Sequence, residues 1–175
     1  NGALVVDSGA VLKGTPTFSS VSSTTVDGTI EIGGEADAHG LGTVTFGAGD
    51  VTFGKNAKVR IGLGQGSRSD KLNYFGLMKF DPETTIEFFV EEGPVVAGAQ
   101  YQVLVPIATS SSASIETTAK VVCQDGLVLD FSKLFDDPIW SDNKAMCGIV
   151  TVISNTNPGV YQSEPAKVKT VSPSE

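Results

Sequence analysis

An apolar, polar, apolar, glycine pattern recurs four times between residues 30 and 62. The four copies are Ile30-Glu31-Ile32-Gly33, Val44-Thr45-Phe46-Gly47, Val51-Thr52-Phe53-Gly54 and Val59-Arg60-Ile61-Gly62. Alternation with period two is typical of a strand that buries one face, and each copy is long enough for only one short strand. Glycine after each strand predicts a turn, because glycine adopts positive φ at no steric cost. The pattern therefore predicts many short strands joined by tight turns.

The rest of the chain supports an all-β protein. Period-two alternation continues in residues 85–90, and further strands are expected in residues 101–107, 126–131 and 148–154. Only residues 131–135 are compatible with a helix or a helical turn, which the following Asp136-Asp137-Pro138 would end.

We expect a single domain over residues 1–175. Fourteen of the twenty glycines lie in residues 1–66, so the first part of the chain is much richer in glycine than the rest. Repeat-like strands are predicted in residues 1–107, and a less regular, capping region in residues 108–175. Phe131, Phe135 and Trp140 are candidates to cover the end of the regular part.

Two all-β architectures fit these short strands. In a single-stranded parallel β-helix, or β-solenoid, the turns are corners and each strand stacks on the next coil. In the alternative, an antiparallel β-sandwich, residues 44–46 would pair with residues 51–53 through a hairpin. Ile30, Val51 and Leu72 are spaced 21 residues apart and each begins a strand-like phrase. This spacing favours the β-helix and predicts that Val51 stacks on Ile30 and Leu72.

Composition excludes several classes of function. Hydrophobic residues make up 40% of the chain and charged residues only 18%, which favours an extracellular β protein over a cytosolic enzyme. The net charge of −8 argues against a nucleic-acid partner. No run of 18 apolar residues occurs, so no membrane insertion by this segment is predicted.

Basic residues are concentrated in residues 55–80. If the alternation holds, Lys58, Arg60 and Lys71 point outward and form a patch that could contact a polyanion or an acidic glycan. The competing interpretation is that these cations pair with Glu31 or Glu87 on neighbouring coils.

Cys123 and Cys147 are the only cysteines. Both a disulfide between them and a pair of buried free thiols are compatible with their positions. Two cysteines that lie 24 residues apart, with one distant histidine, do not form a zinc site.

Catalytic and metal-binding signals are weak. His39 is the only histidine, and no Gly-x-Ser-x-Gly elbow accompanies it. The acid pairs Glu91-Glu92 and Asp136-Asp137 could serve glycoside hydrolysis only if they converge in space. The oxygen-rich stretch in residues 136–143 could hold calcium but has no recognised calcium-loop pattern. We therefore predict no catalytic residue, no cofactor and no metal.

Several motifs, taken in order, resemble a known family. They are Gly42-Thr43-Val44-Thr45-Phe46, Val51-Thr52-Phe53, Ala57-Lys58-Val59-Arg60-Ile61, Ser69-Asp70-Lys71-Leu72 and Gly98-Ala99-Gln100-Tyr101-Gln102-Val103-Leu104. Their order and spacing resemble the β-helical passenger domains of bacterial autotransporters and the related autotransporter-type β-strand repeat surface proteins. The resemblance covers residues 26–107, whereas residues 108–175 depart from the repeat.

The resemblance implies a right-handed parallel β-helix that is exported to the outer cell surface or secreted. It implies a non-enzymatic role in adhesion, display or structure, as a fragment of a larger protein. Partners would be glycans or proteins of a host or the environment, or further copies of the chain. The alternatives are a glycan lyase or hydrolase on the same fold and a carbohydrate-binding β-sandwich module.

Overall fold

The computed structural model describes residues 2–33, 40–107, 111–141 and 144–156. These residues contain strands, turns and loops and no α-helix. Their strands, numbered in chain order, are β1 (Ala3–Val6), β2 (Val11–Gly14), β3 (Thr17–Phe18), β4 (Ser23–Val26), β5 (Thr29–Ile32), β6 (Thr43–Phe46), β7 (Asp50–Phe53), β8 (Lys58–Leu63), β9 (Lys71–Tyr74), β10 (Leu77–Phe80), β11 (Thr85–Val90), β12 (Gln100–Gln102), β13 (Leu104–Pro106), β14 (Ser114–Glu116), β15 (Lys120–Cys123), β16 (Leu127–Lys133), β17 (Trp140–Ser141), β18 (Lys144–Ala145) and β19 (Ile149–Asn155).

Three parallel sheets form a coil. Sheet A has the order β1-β4-β7-β10-β14, sheet B the order β2-β5-β8-β11-β15, and sheet C the order β3-β6-β9-β13. The chain visits the sheets in turn, so each round of A, B and C adds one rung to the coil. This arrangement confirms the parallel β-helix. The β-sandwich is wrong, because β6 lies in sheet C and β7 in sheet A, so the two strands do not pair.

The predicted 21-residue coil is also wrong. Val51, Ile30 and Leu72 lie in sheets A, B and C respectively, so none of them stacks on another. Their in-register neighbours are Thr24 and Met78 for Val51, Leu12 and Val59 for Ile30, and Val44 and Leu104 for Leu72. Val51 and Met78 are 27 residues apart, because the corner loops lengthen each rung. The 21-residue spacing in the sequence therefore joins strands of different sheets and does not give the length of a rung.

The inward positions of the coil form a continuous apolar core. In sheet B, Ile30, Val59 and Ile86 occupy successive rungs and are all fully buried. Aromatic residues stack on aromatic residues in the same way, since the rings of Phe53 and Phe80 lie 5.0 Å apart with 10° between their planes. Each such side chain contributes about 1.5–3 kcal/mol by leaving water, so the stacked rows are the main source of stability in the coil.

Three of the four glycines that end the repeated phrases do not have the predicted positive φ. Only Gly33 among the four has positive φ, at 79°. At Gly54 an added Cβ would lie 2.4 Å from the Asp27 carboxylate of the preceding rung. A side chain there would displace that carboxylate, which accepts hydrogen bonds from Asn56. Glycine at this position therefore leaves room for a carboxylate that links two rungs and does not form a left-handed turn.

A three-stranded antiparallel sheet, here called sheet D, has the order β12-β19-β16. In sequence, β12 lies between β11 and β13 of the coil, whereas β16 and β19 follow β14 and β15, the last parallel strands, which end at Cys123. Of the helix or helical turn expected at residues 131–135, only a turn is present, because β16 runs to Lys133 and the Leu134 amide donates to the Phe131 carbonyl oxygen. The Phe135 ring packs edge-on against Phe80 at 5.4 Å, whereas Phe131 and Trp140 remain 42% and 38% exposed. Phe135 alone of the three candidate aromatics contacts the stacked core.

Candidate functional site: the outer faces of sheets B and D

Four charged side chains of alternating sign lie in register on the outer face of sheet B. Lys13, Glu31, Arg60 and Glu87 occupy successive rungs, and we call this set the charge ladder. Lys13 Nζ lies 3.3 Å from Glu31 Oε1, and Arg60 Nε lies 3.4 Å from Glu87 Oε1. Cross-strand pairs of this kind contribute a few tenths of a kcal/mol each. The ladder is therefore electrically balanced along the coil.

Arg60 is held more firmly than an ordinary surface arginine. Its guanidinium lies over the ring of Phe89, 4.8 Å from the ring centroid. Phe89 lies on the outer face of β11, as Glu87 does, but is only 7% exposed because it is covered by this cation. The charge and the ring attract each other because the face of an aromatic ring is electron-rich. Stacking and ion pairing together fix the direction of the Arg60 side chain.

The three basic residues of the predicted patch do not share one surface. Lys58 and Arg60 lie on β8 in sheet B, whereas Lys71 lies on β9 in sheet C. Lys58 is exposed between Thr29 and Thr85 of the neighbouring rungs. The structure therefore brings two of the three cations together, and one of these two is paired with Glu87.

Lys71 is half-buried. Its Nζ donates to the Gln102 carbonyl oxygen at 3.2 Å and to Ser69 Oγ at 3.5 Å. Burial lowers the pKa of the ammonium, and the nearby Asp70 carboxylate opposes that change. This lysine ties sheet C to β12.

Carboxylates are buried at the corner between sheets B and C. Asp70 is fully buried, and its two oxygens accept the amide protons of Gly42 at 2.8 Å and Gly62 at 2.7 Å. In the first of the two acid pairs named above, Glu91 is 1% exposed and Glu92 forms an ion pair with Arg68. Both oxygens of the Asp70 carboxylate are therefore occupied by hydrogen bonds to the backbone. Asp70 thus cross-links the corner of the coil.

Cys123 and Cys147 are free thiols. Cys147 is fully buried and Cys123 is partly buried, and burial raises the pKa of both thiols. Because the thiolate is the nucleophilic form, both side chains are poor nucleophiles at neutral pH.

The other candidate residues do not converge in the described part of the chain. Asp137 accepts the amide proton of Ile115 at 2.8 Å, which is a structural contact. His39, Asp142 and Asn143 lie outside the described residues. Within residues 2–33, 40–107, 111–141 and 144–156, no group of three or more His, Cys, Asp or Glu side chains is placed to hold a metal ion. The same residues include no helix long and apolar enough to cross a membrane.

A shallow depression of about 360 Å³ lies on the outer face of sheet D. Its polar lining comes from all three strands: Gln100 of β12, Thr151 of β19, and Asp130, Ser132 and Lys133 of β16. Ile149 and Met146 add apolar surface. Sequence reasoning missed this feature because it depends on the pairing of residues about 50 positions apart, such as Gln100 with Thr151. The glycine-then-aromatic stretch before Tyr101 indicated a strand but not its partner.

Comparison of the chain with protein-family models, with curated proteins and with solved structures gives no match. The sheet topology itself defines an all-β protein with a parallel β-helix and a C-terminal antiparallel part. The likeness to autotransporter passenger domains remains a prediction from the sequence motifs.

Proposed function

We propose that this chain is a non-enzymatic β-helical segment of a bacterial cell-surface or secreted protein, with a role in adhesion, display or structure. The charge ladder carries the proposal. In the ladder the outward residue changes from Lys to Glu to Arg, while the inward row beside it stays apolar, partly buried at Leu12 and fully buried at Ile30, Val59 and Ile86. A scaffold of this kind can vary its surface independently of its core.

The buried carboxylates favour the same proposal over a carbohydrate-cleaving enzyme. A pair of catalytic carboxyl groups must face a substrate across a gap of about 5–9.5 Å. Asp70 instead binds two backbone amides, and Glu92 binds Arg68. Partners of the proposed surface would be glycans or proteins outside the cell, or further copies of the chain, as the resemblance to autotransporter passengers implies.

The test combines a binding measurement with a turnover measurement on the purified chain. The labelled protein is applied to immobilised glycans, to extracellular matrix proteins and to itself, and polysaccharide samples are assayed for new reducing or unsaturated ends. We expect saturable binding to at least one surface without cleavage. Cleavage of a polysaccharide would contradict the non-enzymatic proposal, and the absence of binding to every surface would contradict its adhesive role.

A matched variant shows whether sheet B is the contact face. The variant Lys13→Gln and Glu31→Gln removes the more exposed ion pair of the ladder and leaves Arg60 on the Phe89 ring. Its fold and stability should stay close to those of the wild type, because an exposed pair contributes less than about 1 kcal/mol. Altered binding by this folded variant would assign the contact to sheet B.

A further inference from the structure

The outer face of sheet D has the construction of a small ligand site. β19 is the central strand and is hydrogen-bonded to β12 on one side and β16 on the other. Its inward residues Val150 and Val152 are buried against the core. Since the backbone groups of this strand are used within the sheet, any recognition on its outer face depends on side chains.

Those side chains are held in place by neighbours. Gln100 Nε2 donates to Thr151 Oγ1 at 3.4 Å, which joins β12 to β19 across the depression. Asp130 is the register neighbour of Thr151, and its Oδ1 accepts the Ser132 amide proton at 2.9 Å. The strand pairing shifts register between Asp130 and Lys133. Irregularities of this type redirect side chains and are common beside functional sites.

The lining combines the groups that recognise a sugar. The Gln100 amide and the Ser132 and Thr151 hydroxyls can each donate and accept, as sugar hydroxyls do. Met146, 58% exposed, and Ile149 offer apolar surface to the C–H face of a sugar ring. The opposite charges of Asp130 and Lys133 balance each other, so the site favours a neutral ligand over an anion. The volume of about 360 Å³ is at the lower end of the range of small-molecule sites, about 300–1,000 Å³.

We infer that this depression binds a neutral saccharide of one or two sugar units. The contacts would be made by Gln100, Asp130 and Thr151, with Lys133 at the same surface. The site lies on sheet D, apart from the charge ladder on sheet B. The inference therefore goes beyond the proposed surface role and can fail without affecting it.

The experiment is a titration of the isotope-labelled full chain, followed by amide resonances in two-dimensional NMR. The probes are lactose, cellobiose, maltose and N,N′-diacetylchitobiose, with sialyllactose as a charged comparison. We expect saturable shifts with at least one neutral probe, confined to amides of β12, β16 and β19. Absence of shifts with all four neutral probes, shifts confined to the coil, or stronger binding of sialyllactose would overturn the inference.

Two variants test the assigned contacts. Asp130→Ala and Gln100→Ala should each weaken binding about tenfold, the effect of losing one ligand hydrogen bond of about 1.4 kcal/mol. Asp130→Ala could disturb the register shift between Asp130 and Lys133. Gln100→Ala lies on β12, away from that shift, and therefore tests the contact independently. Asp125→Ala, an exposed acid outside the depression, is the control and should bind as the wild type does. Unchanged affinity in both contact variants would overturn the assignment.

Discussion

The coil and sheet D bury their apolar residues by different rules. In the coil, parallel strands stack in register and like residues meet, as Phe53 meets Phe80. In sheet D, antiparallel strands distant in sequence pair with two shifts of register between β16 and β19. The regular part therefore presents ordered outward rows such as the charge ladder, whereas the irregular part presents a depression. This difference indicates that the coil serves as the scaffold and sheet D as a local recognition site. The following variants test that division.

The largest effect is expected at Phe80, where the two regions meet. The ring stacks on Phe53 in the coil and contacts the edge of Phe135 beyond it. Phe80→Ala should lower the free energy of unfolding by about 3–5 kcal/mol, through lost burial and the cavity left behind. Denaturant unfolding followed by circular dichroism reports all the strands, and fluorescence of Trp140, the only tryptophan, reports the region beyond the coil.

Phe75→Ala is the control for this change, because Phe75 is 37% exposed. Both signals should move together in Phe80→Ala if the ring couples the two regions. A shift of the circular dichroism transition with an unchanged Trp140 transition would show that the coil and the C-terminal part unfold independently.

A smaller loss is expected when the coil corner loses the Asp70 carboxylate. Asp70→Asn leaves one amide oxygen where two carboxylate oxygens accepted the protons of Gly42 and Gly62. Hydrogen bonds to a buried charge are worth about 1.5–3 kcal/mol, so unfolding should become easier by about 2–3 kcal/mol. The midpoint of denaturant unfolding measures this, with the exposed Asp125→Asn as the control. Equal midpoints in the two variants would show that the corner does not depend on the carboxylate.

A gain in stability is expected at Thr24. This side chain is 1% exposed and points into the coil between Leu4 and Val51. Its Oγ1 has no hydrogen-bond partner among the residues that the structure describes. Thr24→Val keeps the shape and removes the unsatisfied hydroxyl, so stability should rise by about 1 kcal/mol. Thermal unfolding measures the gain. Thr25→Val on the exposed face is the comparison, and an equal gain there would trace the effect to β propensity rather than to the buried hydroxyl.

The smallest effect concerns pH and compares carboxylates in the two regions. Asp27 binds Asn56 on the next rung through its backbone and side-chain amides, at 3.0 and 2.9 Å, whereas Asp130 binds Ser132 only two residues away. The pKa of each carboxyl is lowered below 3.8, chiefly by these hydrogen bonds. The contribution to stability is therefore present above about pH 3.8 and disappears as the pH falls through the lower folded-state value.

Thermal midpoints of Asp27→Ala and Asp130→Ala, measured against the wild type across this pH range, test the comparison. Both differences should shrink in acid, and that of Asp27→Ala should be larger above pH 3.8 because its contact joins two rungs. A difference for Asp27→Ala that persists at the lowest pH would show that its effect does not come from the ionised carboxylate.

The sequence by itself determined which side chains of the short strands face inward. Val44 and Phe46 are buried while Thr45 between them faces outward, as their alternation predicted. It also predicted Glu87 as one of two partners for Arg60, because both occupy the middle of a strand. Alternation is a local property of the chain, so these features needed no knowledge of the fold.

Only the tertiary structure decided which strand lies next to which. Val51 pairs with Thr24 and Met78, which lie 27 residues before and after it, whereas the 21-residue spacing joined strands of different sheets. The positions of Lys71, of the buried Asp70 and of the depression on sheet D depend on the same long-range pairing. Alternation sets the direction of a side chain, but the register between distant strands sets its neighbours, and those neighbours decide whether a charge is paired, buried or available to a ligand.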